Sequence, residues 1–286
     1  MERRSTMNTI TIQTIKSFQT YLTEDEKSLA TVQKYLRDVT AFYQWLNERE
    51  LTKSAIIEYK EVLCQSYAPT SVNSILASLN SFFDFLDLPN LKVKSLKIQR
   101  QIFTAREREL TKQEYQRLVT AAQKRKNERL CLLMQTVCAT GIRISELKYI
   151  TVQAVEKGSA EIRCKGKQRT IFLIPELRKT LKKYAKTKGI KSGPIFVTRN
   201  GVPLDRSNVW SDMKKLCKLA GVSEKKVFPH NLRHLFARTY YSIEKDIVRL
   251  ADLLGHSSIN TTRIYTVESG EIHYRQIQRL GLLMRC

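Results

Sequence analysis

Apolar side chains recur every three or four positions in two long stretches of the N-terminal third. Val32, Tyr35, Leu36, Val39, Phe42, Tyr43 and Leu46 form one stripe, and Val72, Ile75, Leu76, Leu79, Phe82, Phe83 and Leu86 repeat its spacing. That period sets each group on one face of an α-helix, so both stretches predict amphipathic helices sharing an apolar core. Ser28 and Ser71 stand where N-caps belong. Weaker patterns over 11–22 and 52–66 complete a four-helix bundle across residues 11–87. The aromatic residues of the stripes read as core, well ahead of any role as base-stacking platforms. Leu88-Pro89-Asn90 stops the last helix, because proline lacks the amide a continuing helix needs. Residues 91–109 then run lysine-rich without helical period, so 88–109 reads as an interdomain linker, and residues 1–10 read as a flexible leader.

A second domain opens at Leu110-Thr111-Lys112-Gln113-Glu114, a capping box preceded by an apolar residue, and extends over 110–286. Its pattern is mixed. Helices are expected near 111–125, 127–139, 143–149, 175–187, 207–220, 230–242, 246–254 and 258–265, with a tail helix over 272–283. Strands at 160–164 and 169–174 flank the turn Lys165-Gly166-Lys167-Gln168, and a further strand near 150–155 would complete a small antiparallel sheet. The fold class is therefore mainly α, with an N-terminal helical domain and a mixed α+β second domain.

Length and composition sharpen this picture. A chain of 286 residues, 42% of them apolar, suits two compact units with real cores. No run is long and apolar enough for a membrane helix, and the N-terminus lacks a secretory apolar segment, so a cytoplasmic location is expected. The six cysteines are scattered without a paired spacing, which argues for reduced, mostly buried thiols. Fifty basic against 27 acidic residues give a net charge of +23, a field that attracts a polyanion, with DNA or RNA ahead of an anionic membrane. Residues 1–100 hold 13 basic and 11 acidic side chains, whereas residues 101–286 hold 37 and 16. Whatever the second domain does, it does beside the polyanion.

Candidate chemistry lies in the same domain. Pro229-His230-Asn231-Leu232-Arg233-His234 and Leu253-Leu254-Gly255-His256 precede Tyr265, and Arg143 follows Ala139-Thr140-Gly141-Ile142 far upstream. An arginine at an apolar helix end is costly unless an anion meets it, and a tyrosine beside that anion can act as a nucleophile. Together these residues suggest chemistry on a phosphodiester. His230 and His234 have the spacing of a zinc pair, but Asn231 stands where a metalloprotease needs glutamate, and no third ligand follows. Glu146 reads as a supporting carboxylate, and His234 as a residue packed beneath the site.

The chain resembles the tyrosine recombinase (phage integrase) family. The resemblance rests on Ala139-Thr140-Gly141-Ile142-Arg143-Ile144-Ser145-Glu146-Leu147, Cys164-Lys165-Gly166-Lys167-Gln168-Arg169, His230-Asn231-Leu232-Arg233-His234 and Leu253-Leu254-Gly255-His256, in that order, with Tyr265 after them. It implies a SAM-like core-binding domain followed by a catalytic domain of the DNA breaking-rejoining kind. It implies an active site of Arg143, Lys165, His230, Arg233, His256 and Tyr265. Tyr265 would attack the scissile phosphate to leave a 3′-phosphotyrosyl bond, the arginines would hold the non-bridging oxygens, and Lys165 would protonate the leaving 5′-oxygen, with Lys167 as the rival. The two histidines would share the tasks of taking the tyrosine proton and hydrogen-bonding the phosphate, in an order left open. No metal, ATP or other cofactor is implied. The implied partners are double-stranded DNA, clamped between the two lobes, further copies of the chain in a tetramer, and accessory DNA-bending proteins. Integration or excision of a mobile element in a prokaryotic nucleoid is the implied role, with a type IB-like topoisomerase or a non-catalytic DNA-binding regulator as alternatives. The tail would dock on a neighbouring subunit or fold back on its own domain, and Tyr274 within it is the rival nucleophile. Two features depart from the family pattern: Ile243-Glu244-Lys245 lacks a glycine common among relatives, and the helical domain is nearly neutral.

Overall fold

A computed structural model describes residues 10–98, 108–164, 167–198, 200–265 and 278–281. The chain divides into two compact units, Met1–Arg100 and Gln101–Cys286. The first holds four helices: α1 (Ile12–Glu24), α2 (Leu29–Leu46), α3 (Lys53–Ser66) and α4 (Pro69–Phe85). Thr11, Ser28 and Thr52 cap the first three by accepting backbone amides of Thr14, Thr31 and Ala55. Ser71 is no N-cap. Pro69 starts α4 two residues earlier, since its fixed φ suits the first helical position and its missing amide would have been unsatisfied there. The aromatic stripes are core, with Phe18, Phe42, Phe82 and Phe83 fully buried.

The segment read as linker from residue 88 is, over its first half, part of this core. Leu91 and Val93 are buried, and Leu96 packs beside them. Asn73 and Asn80, two turns apart on α4, each pair both backbone groups of one residue, Leu96 and Val93 respectively. Lys53 and Lys60 on α3 donate to carbonyls of residues 90, 92 and 94.

In the second unit α5 (Lys112–Lys124) opens on the expected capping box, with Thr111 and Glu114 exchanging hydrogen bonds of 2.9 and 3.1 Å. α6 (Glu128–Thr140) follows, then a 3-10 helix over Ile144–Tyr149. The strand expected near 150–155 is instead a short helix, α7 (Val152–Lys157). Extended pairing is confined to Ile150 and Thr151, beside Pro194 and Ile195, because the Thr151 hydroxyl caps the helix and left-handed Gly158 ends it. The sheet is accordingly a two-stranded antiparallel hairpin, β1 (Ser159–Cys164) and β2 (Lys167–Phe172), in register from Ser159 opposite Phe172 to Cys164 opposite Lys167. Ala160, Ile162 and Ile171 turn toward the core.

α8 (Pro175–Thr187) packs on α7 and α6. The single helix expected over 207–220 is two, α9 (Arg206–Lys214) and α10 (Cys217–Ala220), because the backbone tightens to a three-residue hydrogen bond between Leu216 and Met213. α11 (Pro229–Glu244), α12 (Ile247–Leu254), α13 (Ile259–Thr262) and a final 3-10 turn, Arg263–Tyr265, complete the described fold. The tail helix expected over 272–283 lies mostly outside the described residues. Cys131 and Cys217 are buried as expected, but Cys64 is exposed.

Lys245 ends α11 at φ 54°, the left-handed turn for which glycine is the natural residue. The missing glycine therefore leaves the turn intact at the cost of backbone strain. Lys245→Gly is expected to stabilise the protein by about 0.5 kcal/mol, the relief of strain being partly offset by chain entropy and a lost contact with the Tyr241 ring. A lowered thermal midpoint for this variant would contradict that account.

Candidate active site

Two glycine turns place the cationic side chains. Gly141 ends α6 at φ 65°, and a Cβ there would lie 2.5 Å from the Phe236 ring. The reversal buries Ile142 and delivers Arg143 to the start of the 3-10 helix. Glu146, only 4% exposed, accepts the Arg143 amide and its Nη1, both at 2.9 Å. Gly255 ends α12 at φ 63°, and its carbonyl lies 3.5 Å from Arg143 Nη2.

Arg233 projects from α11 and is 1% exposed. Its Nη1 donates to the Gly141 carbonyl and its Nη2 to the Leu254 carbonyl, each at 2.6 Å. Both carbonyls are the orphaned, partly negative ends of helices, α6 and α12, so helix termini hold this cation. Among the described residues no carboxylate pairs with it. Burial, then Arg143, pull its pKa down to about 10, which leaves it charged at neutral pH; the hydrogen-bonding Tyr265 hydroxyl acts in the opposite direction.

His256 follows Gly255. Its Nε2 lies 3.0 Å from Arg233 Nη2 and its Nδ1 2.9 Å from Thr262 Oγ1. A guanidinium only donates, so Nε2 accepts and Nδ1 carries the proton toward Thr262. In this arrangement His256 offers no free N–H to a phosphate. Tyr265 is 4% exposed and packs with Ala237, Leu250 and Leu254. The His256 ring stacks 6.0 Å from the Tyr265 ring, and the His234 ring meets it edge-on at 4.8 Å. His230 stands 4.5 Å from His234, ring to ring, and keeps an exposed edge on the first turn of α11. Among the described residues buried His234 Nε2 has no hydrogen-bond partner.

Thus Arg143, Arg233, His256 and Tyr265 meet in one cluster, with His230 reaching it through His234. Lys165 lies outside the described residues, as does Tyr274; Lys167 is the first residue of β2. Sequence reasoning gave no role to Thr262 or to Arg169, which reaches Glu146 and the Leu254 carbonyl. Arg169 had a signal: it shares the inward-facing period of Ile171 and Leu173, where a cation demands partners. A groove of about 760 Å³ opens beside the cluster, lined among others by Arg143, Arg169, Gly255, His256 and Ser257. Among the described residues no group of three or more His, Cys, Asp or Glu could hold a metal ion.

Burial, reinforced by neighbouring cations, lowers the pKa of His230, takes His256 to about 4 and takes His234 to about 3. Folded imidazoles that resist protonation contribute stability fully present above the unfolded pKa of about 6.5 and lost as pH falls below it. Unfolding free energy is therefore expected to drop by about 1 kcal/mol from pH 7 to pH 5, a figure discounted for partial exposure of the rings. Urea titrations at the two pH values check this, and an unchanged value would mean the rings are not held neutral.

Residues 108–271 match the phage integrase family, and residues 15–88 match the phage integrase N-terminal SAM-like domain. Tyrosine recombinase XerA of Thermococcus kodakarensis is 30% identical over 280 residues, covering 94% of this chain and 95% of its own. Its namesake from Pyrococcus furiosus is 28% identical over 285 residues, covering 96% of each. The fold is similar to lambda integrase in a tetramer bound to a Holliday junction, with TM-score 0.71, 20% identity, and coverage of 88% of this chain and 79% of that one. Among the described residues no helix is long and apolar enough to cross a membrane.

Proposed function

The chain belongs to the phage integrase family, a family of tyrosine recombinases, and on that premise we propose that it cuts and rejoins duplex DNA at specific sites through a 3′-phosphotyrosyl intermediate. One observation carries the reading. A fully buried guanidinium, Arg233, has backbone carbonyls but, among the described residues, no carboxylate around it, and a tyrosine hydroxyl hydrogen-bonds with it. Such a cation suits a group that brings its own negative charge, and a phosphodiester does so.

In the proposed reaction the Tyr265 oxygen attacks phosphorus, the bond to the 5′-oxygen breaks, and the phosphate stays esterified to the tyrosine. The leaving 5′-oxygen takes a proton, which Lys165 supplies. The ester conserves the bond energy, so rejoining by the 5′-hydroxyl needs neither ATP nor metal. Arg143 and Arg233 hold the non-bridging oxygens with planar forks that stay charged. Glu146 fixes Arg143, and helix ends fix Arg233, so both donors are oriented before the charge develops. An arriving phosphate must displace the Tyr265 hydroxyl from Arg233, so the turn Arg263–Tyr265 has to shift for attack. His230, whose lowered pKa keeps it neutral at pH 7, is the base in reach of solvent and takes the tyrosine proton.

The wider proposal is that a tetramer exchanges strands between two sites, with the helical domain over 11–87 and the strongly basic second domain gripping the same duplex. Integration or excision of a mobile element, assisted by DNA-bending proteins in a prokaryotic nucleoid, is the biological role this reading favours. A duplex nicked near the cleavage site traps the intermediate, because the short strand diffuses away and cannot rejoin. Incubated with such a duplex and a chelator, the protein should yield a denaturant-resistant adduct on the peptide containing Tyr265. Tight DNA binding without any adduct would reduce it to a DNA-binding regulator.

A further inference from the structure

Arg169 shares an acceptor with each arginine of the cationic cluster, Glu146 with Arg143 and the Leu254 carbonyl with Arg233. It stands on β2 opposite Ile162, with its side chain 11% exposed. Its Nη2 donates to Glu146 Oε2 at 2.7 Å, on the carboxylate that also receives Arg143. Its Nη1 donates to the Leu254 carbonyl, the oxygen that also receives Arg233 Nη2. Its stem lies so close to the backbone of Gly255 that a Cβ there would fall 2.7 Å from Arg169 Cδ. The next residue is His256.

We infer that Arg169 is a positioning residue that sets the spacing between the two phosphate-gripping arginines and ties both to the β-hairpin. Glu146 and the Leu254 carbonyl belong to different elements, the 3-10 helix after α6 and the end of α12. A guanidinium on β2 spans them with two diverging N–H groups, which fixes the distance between Arg143 and Arg233. A lysine presents one ammonium and cannot brace both. The third positive charge in this cluster is tolerated because it meets a carboxylate and a helix-end carbonyl. Arg169 also adds to the fields that lower the pKa of His256 and Arg233. The hairpin that should carry Lys165 to the leaving group is thus mechanically continuous with the phosphate clamp, and β2 also packs against α12.

This inference rests on the cleavage reading above, and its test separates the two. The full chain, Arg169→Met and Arg169→Lys are each incubated with the nicked duplex, carrying either a normal scissile phosphate or a methylphosphonate. Methionine keeps much of the stem against Gly255 and loses both donors; lysine keeps the charge and loses the brace. Misplacing catalytic groups by an ångström costs on the order of a hundred-fold, so both variants should cut the phosphate about 10- to 100-fold more slowly. The deficit should shrink several-fold on the methylphosphonate, where one non-bridging charge is gone and less is asked of the arginines. A variant that is merely less well folded slows on both substrates by the same factor, and that result overturns the inference. So does cleavage of the phosphate at the wild-type rate by either variant. If the wild type itself forms no adduct on the phosphate, the cleavage reading fails and this one falls with it.

Discussion

Tyr265→Phe is expected to bind its DNA site within about twofold of the wild type and to form no covalent complex, a loss beyond about a thousand-fold in cleavage rate. The substitution removes one oxygen and nothing else. The ring keeps its packing against Ala237, Leu250 and Leu254 and its edge contact with His234. Arg233 loses the hydroxyl as a neighbour but keeps both helix-end carbonyls, so the stability change should stay near 1 kcal/mol. Binding depends on phosphate contacts that the phenol does not make. A labelled nicked duplex run under denaturing conditions reads the adduct, and a native gel reads binding. Adduct formation by the phenylalanine variant would move the nucleophile elsewhere, with Tyr274 the first place to look.

Much of the fold was legible because local signals agreed with one another. Ser28, Thr111 and Gly141 mark helix ends by chemistry that does not depend on the rest of the protein. Where two signals competed, the stronger local rule won: Pro69 displaced Ser71, and the Thr151 cap with Gly158 turned an expected strand into α7. The segment after residue 88 misled for a different reason. Its apolar residues Leu91 and Val93 alternate too briefly to show a period, and the asparagines that fasten them lie on α4, far off in sequence.

The site divides in the same way. Motif spacing singled out Arg143, His230, Arg233, His256 and Tyr265 as candidates, but it could not show how they are held. Glu146 takes two arginines rather than one, and although Gly141 marks a helix end, nothing local to it or to Leu254 says that their carbonyls hold Arg233. The proton position on His256 depends on Thr262 and Arg233 together, a tertiary fact that motif spacing does not carry.

Arg233→Lys is expected to lower the cleavage rate by about 10²- to 10³-fold while leaving site binding close to normal, although the net charge is unchanged. The guanidinium bonds the Gly141 and Leu254 carbonyls from different nitrogens and still borders Tyr265. One ammonium at the end of a flexible stem can meet one of those carbonyls, or the phosphate, but not all three in fixed directions. The carbonyl left without a donor is buried, so the variant should also lose on the order of 1–3 kcal/mol of stability. Burial adds a second penalty, since an ammonium in this position loses its proton far more readily than arginine does. Rates are therefore to be compared well below the variant's thermal midpoint, with binding measured on the same preparation. Within about tenfold of wild-type cleavage, charge alone would suffice, and the planar fork would have no special part in holding the phosphate.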